Sequence, residues 1–203
     1  MYNDLMELYV FDVTALAGRE SEAMDSLPPW RRRKAARLRR ESSRLQSMGA
    51  GLLFTRFFPG REAVFRPGGK PSVPGGREFS LSHSGTLALI ALADVPVGAD
   101  IQQLRPVTQA ARSRVLTPGE REEGDFFALW TRKEAALKCL GTGLGRDLRA
   151  VDARPDTVVL DGKTLSLYTQ RYGDFTISAA AEGAEAYFTP QVLTLDDLLP
   201  RKE

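Results

Sequence analysis

The fold is decided by residues 79–102, FSLSHSGTLALIALADVPVGADIQ, in which three runs of β-prone residues are separated by short turn signals. The runs predict strands at 79–82, 86–93 and 97–102. Turns are predicted at 83–85 and 94–96, where histidine, serine, glycine, aspartate and proline collect.

Upstream of these strands, the pattern predicts one strand followed by two helices rich in basic residues. The strand is expected at 5–13, and Pro28 and Pro29 suit the first turn of a helix that runs to Arg40. Ser42 or Ser43 is a candidate cap for a second helix reaching residue 58. The glycine- and proline-rich segment 59–76 is expected to be a loop with one short strand at 63–66.

Downstream, helical signals return before a second set of strands. Thr117 and Glu120 form a candidate capping box, and Asp125 is placed to cap a long helix at 126–140 that ends at Gly141. Strands are predicted at 158–160, 164–170, 174–180 and 186–189, as an antiparallel sheet. We therefore predict an α+β fold of two closely packed halves, 1–97 and 98–190, followed by a short tail, 191–203.

Composition restricts the kind of protein and the kind of metal site. The chain has 203 residues, of which 42% are hydrophobic, enough for a real core. No apolar run is long enough to span a bilayer, and the first residues are acidic where a signal peptide would be basic, so a cytoplasmic protein is expected. One cysteine and one histidine exclude an internal disulfide and a His/Cys zinc cluster, which leaves a hard, oxygen-bound ion.

The net charge of +2 is unevenly distributed along the chain. The segment from Arg31 to Arg44 holds eight basic residues and one acid, so the remainder of the chain is net acidic. Such a run is typical either of an anion-binding surface or of a solvated helix face, and the run alone leaves both interpretations open.

Three candidate chemical groups stand out beside this run. Glu134 and Lys138 are one turn apart on the long helix, as in an ordinary ion pair or a catalytic pair. Asp100 lies in a strand preceded by small residues, which would let backbone or ligand come close; a turn aspartate at a strand end is the alternative. His83 lies on a hydroxyl-rich predicted turn, where it is either a phosphate contact or a hydrogen-bonded turn residue.

Two further motifs fail in their context. The glycines of segment 141–145 follow a helix instead of joining a strand to a helix, and no P-loop lysine accompanies them, so a dinucleotide or nucleotide loop is not predicted. Ser82 adjoins His83, but neighbouring residues of a strand point to opposite faces, and this argues against a hydrolase triad.

Together the motifs resemble the 4'-phosphopantetheinyl transferases of the longer, surfactin-synthetase-activating type. Segment 97–101, VGADI, is similar to the first signature of that family, and segment 127–138, FALWTRKEAALK, to the second. Upstream, the basic run with Ser47, then Gly69-Lys70-Pro71, then segment 80–85, SLSHSG, follow in the same order. The resemblance covers most of the chain, about residues 5–188.

The resemblance implies a pseudo-dimer of two similar halves, each a small antiparallel sheet packed with a long helix, with the active site in the cleft between them. The N-terminal half would bind the nucleotide and 3'-phosphate of coenzyme A, and the C-terminal half would carry the magnesium and the carboxylates. The implied coenzyme A contacts are Arg31, Lys34, Ser47, Lys70, Ser82, His83, Lys138, Gly141 and Gly143. The implied magnesium ligands are Asp100 and Glu134.

One position departs from the family pattern. The family often has a third acid two residues after the motif aspartate, where this chain has Gln102. Magnesium takes one or two protein carboxylates together with phosphates and water, so we expect a weaker site that retains its metal, with Gln102 as a doubtful third ligand.

The resemblance implies transfer of phosphopantetheine to a serine of an acyl or peptidyl carrier protein, as in a holo-acyl-carrier-protein synthase, by a monomeric enzyme. Glu134 would act as general base, with Lys138 and His83 balancing charge on the leaving group. A coenzyme A or nucleotide-binding module without catalysis is the alternative. A nucleic-acid-binding protein is disfavoured, because the basic run lacks interleaved aromatic residues and the second half would be unexplained.

Overall fold

The computed structural model describes residues 6–143 and 147–199, with the side chain of Glu123 excepted. The start of the first predicted strand, the end of the predicted tail and part of the predicted glycine segment 141–145 lie outside the described residues. Within the described ranges, no helix is long and apolar enough to cross a membrane.

From residue 6 to Ala93, the described part of the chain contains three α-helices and five strands. A short 3-10 helix, Val13–Leu16, follows the first strand. In chain order the elements are β1 (Glu7–Asp12), α1 (Glu20–Asp25), α2 (Pro29–Ala36), α3 (Glu41–Phe57), β2 (Val64–Phe65), β3 (Pro71–Ser72), β4 (Glu78–Ser84) and β5 (Leu87–Ala93).

The C-terminal half continues with one strand, three helices and three more strands, and the chain then returns to the first half. A 3-10 helix, Leu148–Ala150, follows the long helix. The elements are β6 (Val97–Gln103), α4 (Gln109–Val115), α5 (Pro118–Glu123), α6 (Phe126–Leu140), β7 (Thr157–Leu160), β8 (Lys163–Tyr172), β9 (Phe175–Glu182), β10 (Pro190–Val192) and α7 (Leu195–Leu198).

Two four-stranded sheets share one pattern of connection. The first has the order β10-β1-β5-β4 and the second β6-β9-β8-β7, while β2 and β3 form a separate two-stranded ribbon. In each half the opening strand is followed by helices, and the last strand of the half pairs antiparallel with the opening strand. The other edge of that last strand pairs with the strand that precedes it in the chain, so β4 pairs with β5 and β8 with β9.

The core is arranged in layers that follow from strand periodicity. One face of β5 packs against α3, and the other joins residues of β6 and β9 in a cluster between the two sheets. Strand β5 is therefore buried along its whole length, which explains its uninterrupted apolar sequence. Helix α6 packs on the outer face of the second sheet. The predicted mixed α+β class with antiparallel sheets is confirmed.

Several predicted caps and helix ends are confirmed, and two are wrong. Thr117 and Glu120 form the capping box of α5, and Asp125 caps α6. The first basic helix ends at Ala36, short of Arg40, and Arg37 is its C-cap residue. Neither Ser42 nor Ser43 caps α3: both lie inside the helix, where Glu41 supplies the acid at its first turn.

Two strand predictions also needed correction. His83 lies inside β4 opposite Ala88, and the hairpin loop is the pair of residues between Ser84 and Leu87. Gly85 in that loop has a φ of +54°, which suits such a tight turn. The strand predicted at 186–189 is wrong: β10 begins at Pro190 and pairs parallel with β1 in the other sheet. Parallel pairing with a distant strand leaves no turn signal in the sequence.

Candidate active site

A cavity of about 760 Å³ opens between elements of the two halves. Helix α2, the loop before β3 and strand β4 line it on one side, while β6 and α6 line it on the other. Every site residue predicted from the sequence contributes to the wall except Ser47, which is fully buried in α3. The lining residues from that prediction are Arg31, Lys34, Lys70, Ser82, His83, Asp100, Gln102, Glu134, Lys138, Gly141 and Gly143.

Asp100 is the centre of a polar cluster on this wall. Its side chain is only 4% exposed, and its Oδ1 accepts hydrogen bonds from Lys138 Nζ at 2.6 Å and from Ser82 Oγ at 2.6 Å. Gln102 Nε2 donates to the other oxygen at 3.2 Å. Lys138 also donates to Ser82 Oγ at 2.9 Å. Asp100 is therefore a paired, hydrogen-bonded carboxylate and not a turn aspartate at a strand end.

Glu134 lies on the same wall in a different environment. Burial raises the pKa of Glu134, and the Asp100 carboxylate raises it further by charge repulsion. Lys138 and a hydrogen bond with Trp130 oppose this rise. The two carboxylates thus share one side of the cavity, one neutralised by lysine and the other with a greater tendency to take up a proton.

Helix α6 can bring its side chains over Asp100 because Gly98 lets it approach β6 closely. A Cβ at Gly98 would lie 1.9 Å from the Ala135 carbonyl oxygen and 2.3 Å from the Cys139 nitrogen. Helix backbone therefore rests directly on strand backbone at this point. The small residues before Asp100 predicted a close approach of backbone or ligand, and the partner is the backbone of the helix that carries Glu134 and Lys138.

The opposite wall carries positive charge. Burial lowers the pKa of Arg31 to about 10, and its Nε has no hydrogen-bond partner. Burial also lowers the pKa of Lys34, with contributions from Arg31 and Lys138. Burial and the positive charges of these three residues lower the pKa of His83 to about 4, although Asp100 opposes the shift. This wall therefore carries uncompensated positive charge, because Arg31 and Lys34 repel each other and His83 stays neutral. A bound anion would be favourable there.

Lys70 also reaches the cavity, but its ammonium group is already occupied. Nζ donates to the carbonyl oxygens of Val97 at 2.8 Å and Cys139 at 3.3 Å. Burial lowers the pKa of Lys70, against the nearby Glu78 carboxylate. The glycines predicted to shape the cavity lie beside it, with Gly141 at a φ of +71° and Gly143 at +74°.

Three serines on one side of β4 join the two sheets, a feature that sequence reasoning missed. Ser80 Oγ accepts a hydrogen bond from the Ala99 amide at 3.0 Å, and Ser84 Oγ accepts one from the Gln103 amide at 3.0 Å. Ser82, between them, bonds Asp100. The alternation of serines at 80, 82 and 84 is visible in the sequence, but only the structure identifies β6 as their partner.

Aromatic side chains form a part of the wall that was not predicted as site. Trp30 and Phe65 lie edge to face with ring centroids 5.4 Å apart, and Arg31 lies over the Trp30 ring at 5.3 Å. Phe65 is 54% exposed. Trp130 lines the cavity on the side of Glu134. An aromatic surface beside charged groups suits a ligand that has both an apolar or aromatic part and a charged part.

The carboxylates are compatible with a magnesium ion. Across residues 6–143 and 147–199 there is no group of three or more His, Cys, Asp and Glu side chains that could hold a metal. Asp100 and Glu134 nevertheless offer oxygen ligands on one wall, with the Gln102 amide beside them. That number of protein ligands suits magnesium, which completes its shell with water and substrate phosphates.

Comparison with known proteins finds a family similarity over the second half of the chain. Residues 96–187 match the model of the 4'-phosphopantetheinyl transferase superfamily. The chain is similar to 4'-phosphopantetheinyl transferase psf-1 of Bacillus pumilus, with 38% identity over 86 residues, 37% of this chain and 37% of the relative. The family resemblance predicted from the sequence is confirmed.

Two other relatives have similar coverage. The chain is 31% identical over 98 residues to 4'-phosphopantetheinyl transferase Sfp of Bacillus subtilis strain 168, covering 42% of this chain and 44% of the relative. It is 35% identical over 108 residues to 4'-phosphopantetheinyl transferase AcpT of Salmonella typhi, covering 46% and 56%. The matched segments thus span less than two thirds of the length of these relatives.

Proposed function

From this match to the 4'-phosphopantetheinyl transferase superfamily, we propose that the protein transfers phosphopantetheine from coenzyme A to a serine of an acyl or peptidyl carrier protein. We further propose that the two halves form a pseudo-dimer and that coenzyme A binds in the cavity between them. The order of three strands in each sheet, β1-β5-β4 and β6-β9-β8, is shared and supports the pseudo-dimer. The observation that carries the function is that Asp100, Glu134 and Lys138 share one cavity with Arg31 and Lys34.

The charge distribution of the cavity matches the charge of coenzyme A. Arg31 Nε has no partner, and Lys34 makes no hydrogen bond or ion pair within the described part of the chain. Both cations are therefore available to the 3'-phosphate, with His83 close to them. Binding of a phosphate there would relieve the repulsion that lowers the pKa of His83, and would favour its protonated form. Ser47 is buried and contributes no surface to this binding.

Glu134 is suited to act as the general base. Its raised pKa lies closer to neutrality than that of an ordinary carboxylate, which favours proton transfer. Directly or through a water molecule, it takes the proton of the carrier serine. The serine oxygen then bonds the phosphorus on the pantetheine side, and the bond from this phosphorus to the bridging oxygen breaks. Adenosine 3',5'-bisphosphate leaves, with its charge balanced by Lys138 and His83.

Asp100 and Glu134 would hold magnesium, with Gln102 as a further oxygen or water contact. When bound, the ion neutralises charge on the pyrophosphate. If Asp100 bound the ion, Lys138 would keep two other hydrogen-bond partners. These are the Ser82 hydroxyl and the Ala99 carbonyl oxygen, the latter at 3.1 Å. A carrier protein with an acidic surface would be attracted by the exposed arginines of α2 and of the segment that follows it.

The test is intact-mass analysis of apo acyl and peptidyl carrier proteins incubated with the protein, coenzyme A and magnesium. We expect the carrier to gain the mass of one phosphopantetheine, and the gain to disappear with excess chelator or with Asp100→Ala. A coenzyme A-binding module would bind the nucleotide without changing the carrier mass. A nucleic-acid-binding protein would instead shift a nucleic-acid probe in a gel, with a strong salt dependence.

A further inference from the structure

We propose that Lys70 is a positioning residue, which fastens the loop before β3 to the C-terminal end of α6 across the two halves. It would hold the cavity in shape through protein contacts and would not serve as a phosphate ligand. The kinetic part of this inference rests on the proposed function, whereas the structural part does not.

The first observation is that the Lys70 ammonium is buried and already bonded to protein acceptors. An ammonium group has three donors. Two bond the carbonyl oxygens of Val97 and Cys139, at 2.8 and 3.3 Å, and Glu78 Oε2 lies 3.5 Å away. The side chain is 7% exposed. A phosphate at Nζ would compete with these contacts, whereas within the described residues Arg31 Nε has no hydrogen-bond partner to lose.

The second observation is where the acceptors lie. Cys139 belongs to the last turn of α6, whose carbonyl groups lack partners within the helix and carry partial negative charge. Val97 opens β6, the strand that carries Asp100. One lysine of the N-terminal half therefore bonds both elements that hold the carboxylates of the C-terminal half.

The third observation is that backbone packs on backbone beside this lysine. A Cβ at Gly68 would lie 1.7 Å from the Gly141 carbonyl oxygen, and one at Gly143 would lie 2.5 Å from the Gly68 carbonyl oxygen. A Cβ at Gly141 would touch the Lys70 stem at 3.4 Å. The loop and the helix end thus form one packed unit, and Lys70 supplies its charged bonds.

This unit connects to the chemistry through α6. Glu134 and Lys138 lie on the helix whose last turn Lys70 bonds, and helix backbone is rigid over such a distance. If the end of α6 is released, both side chains move relative to the loop that lines the other wall. Loss of Lys70 should therefore reduce the catalytic rate as well as coenzyme A affinity.

The test compares Lys70→Met, which keeps the length of the stem and removes the ammonium, with Arg66→Met. Arg66 is in the same loop and pairs with Glu78 at the surface, so its variant removes a charge without touching α6. Hydrogen exchange of the ligand-free protein is followed at the amides of Arg66, Gly69 and Gly141, whose carbonyl partners are Lys70, Arg66 and Leu137.

In Lys70→Met we expect these amides to exchange about tenfold faster or more, because a charge-assisted buried bond is lost. Exchange within α3 should not change, and Arg66→Met should resemble the wild type at Gly141. Unchanged exchange at Gly141 would overturn the proposal. So would faster exchange throughout the chain, since that would reveal general destabilisation.

The kinetic arm measures kcat and KM for coenzyme A in the same two variants. A positioning role predicts a fall in kcat at saturating coenzyme A together with a rise in KM, while a phosphate ligand would raise KM and leave kcat unchanged. A rise in KM alone would overturn the positioning role. If the wild-type protein transfers nothing, the proposed function fails, and the exchange measurements still decide the structural role of Lys70.

Discussion

Each of the two long helices packs on one of the four-stranded sheets, but the helices differ in the polar side chains that they bury. Helix α3 buries an unbroken run from Ser47 to Phe54 that is apolar or small except for the serine. Helix α6 buries Thr131, Arg132 and Lys133, and it presents Glu134 and Lys138 to the cavity. In the first half, the wall of the cavity comes from the short helix α2 and from β4 instead.

A long helix packed on a sheet can therefore either support the fold only, as α3 does, or also present polar side chains to a cavity, as α6 does. The decisive difference is which polar groups have partners. In α6, Arg132 bonds the Ala153 carbonyl at 2.6 Å and Lys133 bonds Glu120 at 2.6 Å, so its buried charges are satisfied. In α3, the Ser47 hydroxyl has no partner. Glycines bring both helices close to their sheets, though in different ways.

The largest effect is expected when the same acid-to-amide change is made on both helices. Glu134→Gln should lower turnover by about a hundred- to ten-thousand-fold, because a general base is lost. Ionised Glu134 is unfavourable in the fold, as its raised pKa indicates, so the melting temperature should not fall. Glu41→Gln, in the first turn of α3, is the control and should retain the wild-type rate. Carrier turnover at saturating coenzyme A and thermal melting measure both. A Glu134→Gln rate within a few-fold of the wild type would refute the catalytic assignment.

The buried ion pair of α6 should dominate its stability. Lys133 and Glu120 side chains are both 0% exposed, and Lys133 also donates to the Val115 carbonyl at 2.8 Å. Lys133→Met should lower the free energy of unfolding by about 3–5 kcal/mol, since it leaves a buried carboxylate without its cation. Urea unfolding measures this.

The control for this change is Arg171→Ala, which removes an exposed ion pair with Asp125 and should cost less than about 1 kcal/mol. Adding Glu120→Gln to Lys133→Met should recover part of the loss, because the unpaired charge is then gone. A loss with Lys133→Met no greater than that of the control would show that the pair does not stabilise α6.

The glycine-to-alanine changes Gly98→Ala beneath α6 and Gly49→Ala in α3 should affect stability differently, because the added methyl group meets backbone in the first case and a side chain in the second. At Gly98 the new Cβ would meet the backbone of α6 at 1.9 Å, so the helix must move and both stability and kcat should fall; about 1–3 kcal/mol is typical of overpacking. At Gly49 in α3 the nearest atom is the Val13 Cγ1 at 2.5 Å, so a side chain, and not the backbone of another element, must move.

Alanine also favours helix over glycine by about 1 kcal/mol, which offsets part of the clash at Gly49. Gly49→Ala should therefore lose less stability than Gly98→Ala in urea unfolding, with a wild-type kcat. Equal losses for the two variants would contradict the difference in packing.

A smaller effect concerns the wall opposite α6. The pKa of His83 is lowered from 6.5 to about 4, so the unfolded chain binds the proton more readily than the folded protein between these values. The contribution of neutral His83 to stability is complete above pH 6.5 and is lost as the pH falls towards about 4. His83→Gln should remove this part of the pH dependence. Parallel pH profiles of unfolding free energy for variant and wild type would contradict the shift.

The smallest effect is expected for Ser47→Ala in α3. The hydroxyl has no partner and is fully buried, so its removal should change the melting temperature little or raise it slightly. The KM for coenzyme A should stay at the wild-type value, because Ser47 does not line the cavity. A large rise in KM would instead restore the contact that the family resemblance implied, and would require α3 to move on binding.

Local patterns in the sequence were sufficient for the elements that depend on nearby residues. The capping residues of α5 and α6, the glycine end of α6 and the three central strands were all predicted. The family resemblance, and not a local pattern, grouped Asp100, Glu134 and Lys138, and these residues do share one wall. Caps, turns and periodicity act within a few residues, so a single sequence reveals them.

Tertiary structure decided what depends on pairing between distant segments. It places β10 beside β1, joins β4 to β6 through serine hydroxyls, and directs the Lys70 ammonium to the end of α6. It also buries Ser47 and puts His83 within a strand. None of these contacts can be read from neighbouring residues in the sequence. A serine or lysine looks the same in the sequence whether its side chain bonds a ligand or a backbone carbonyl. Only the packing of the two halves selects the partner.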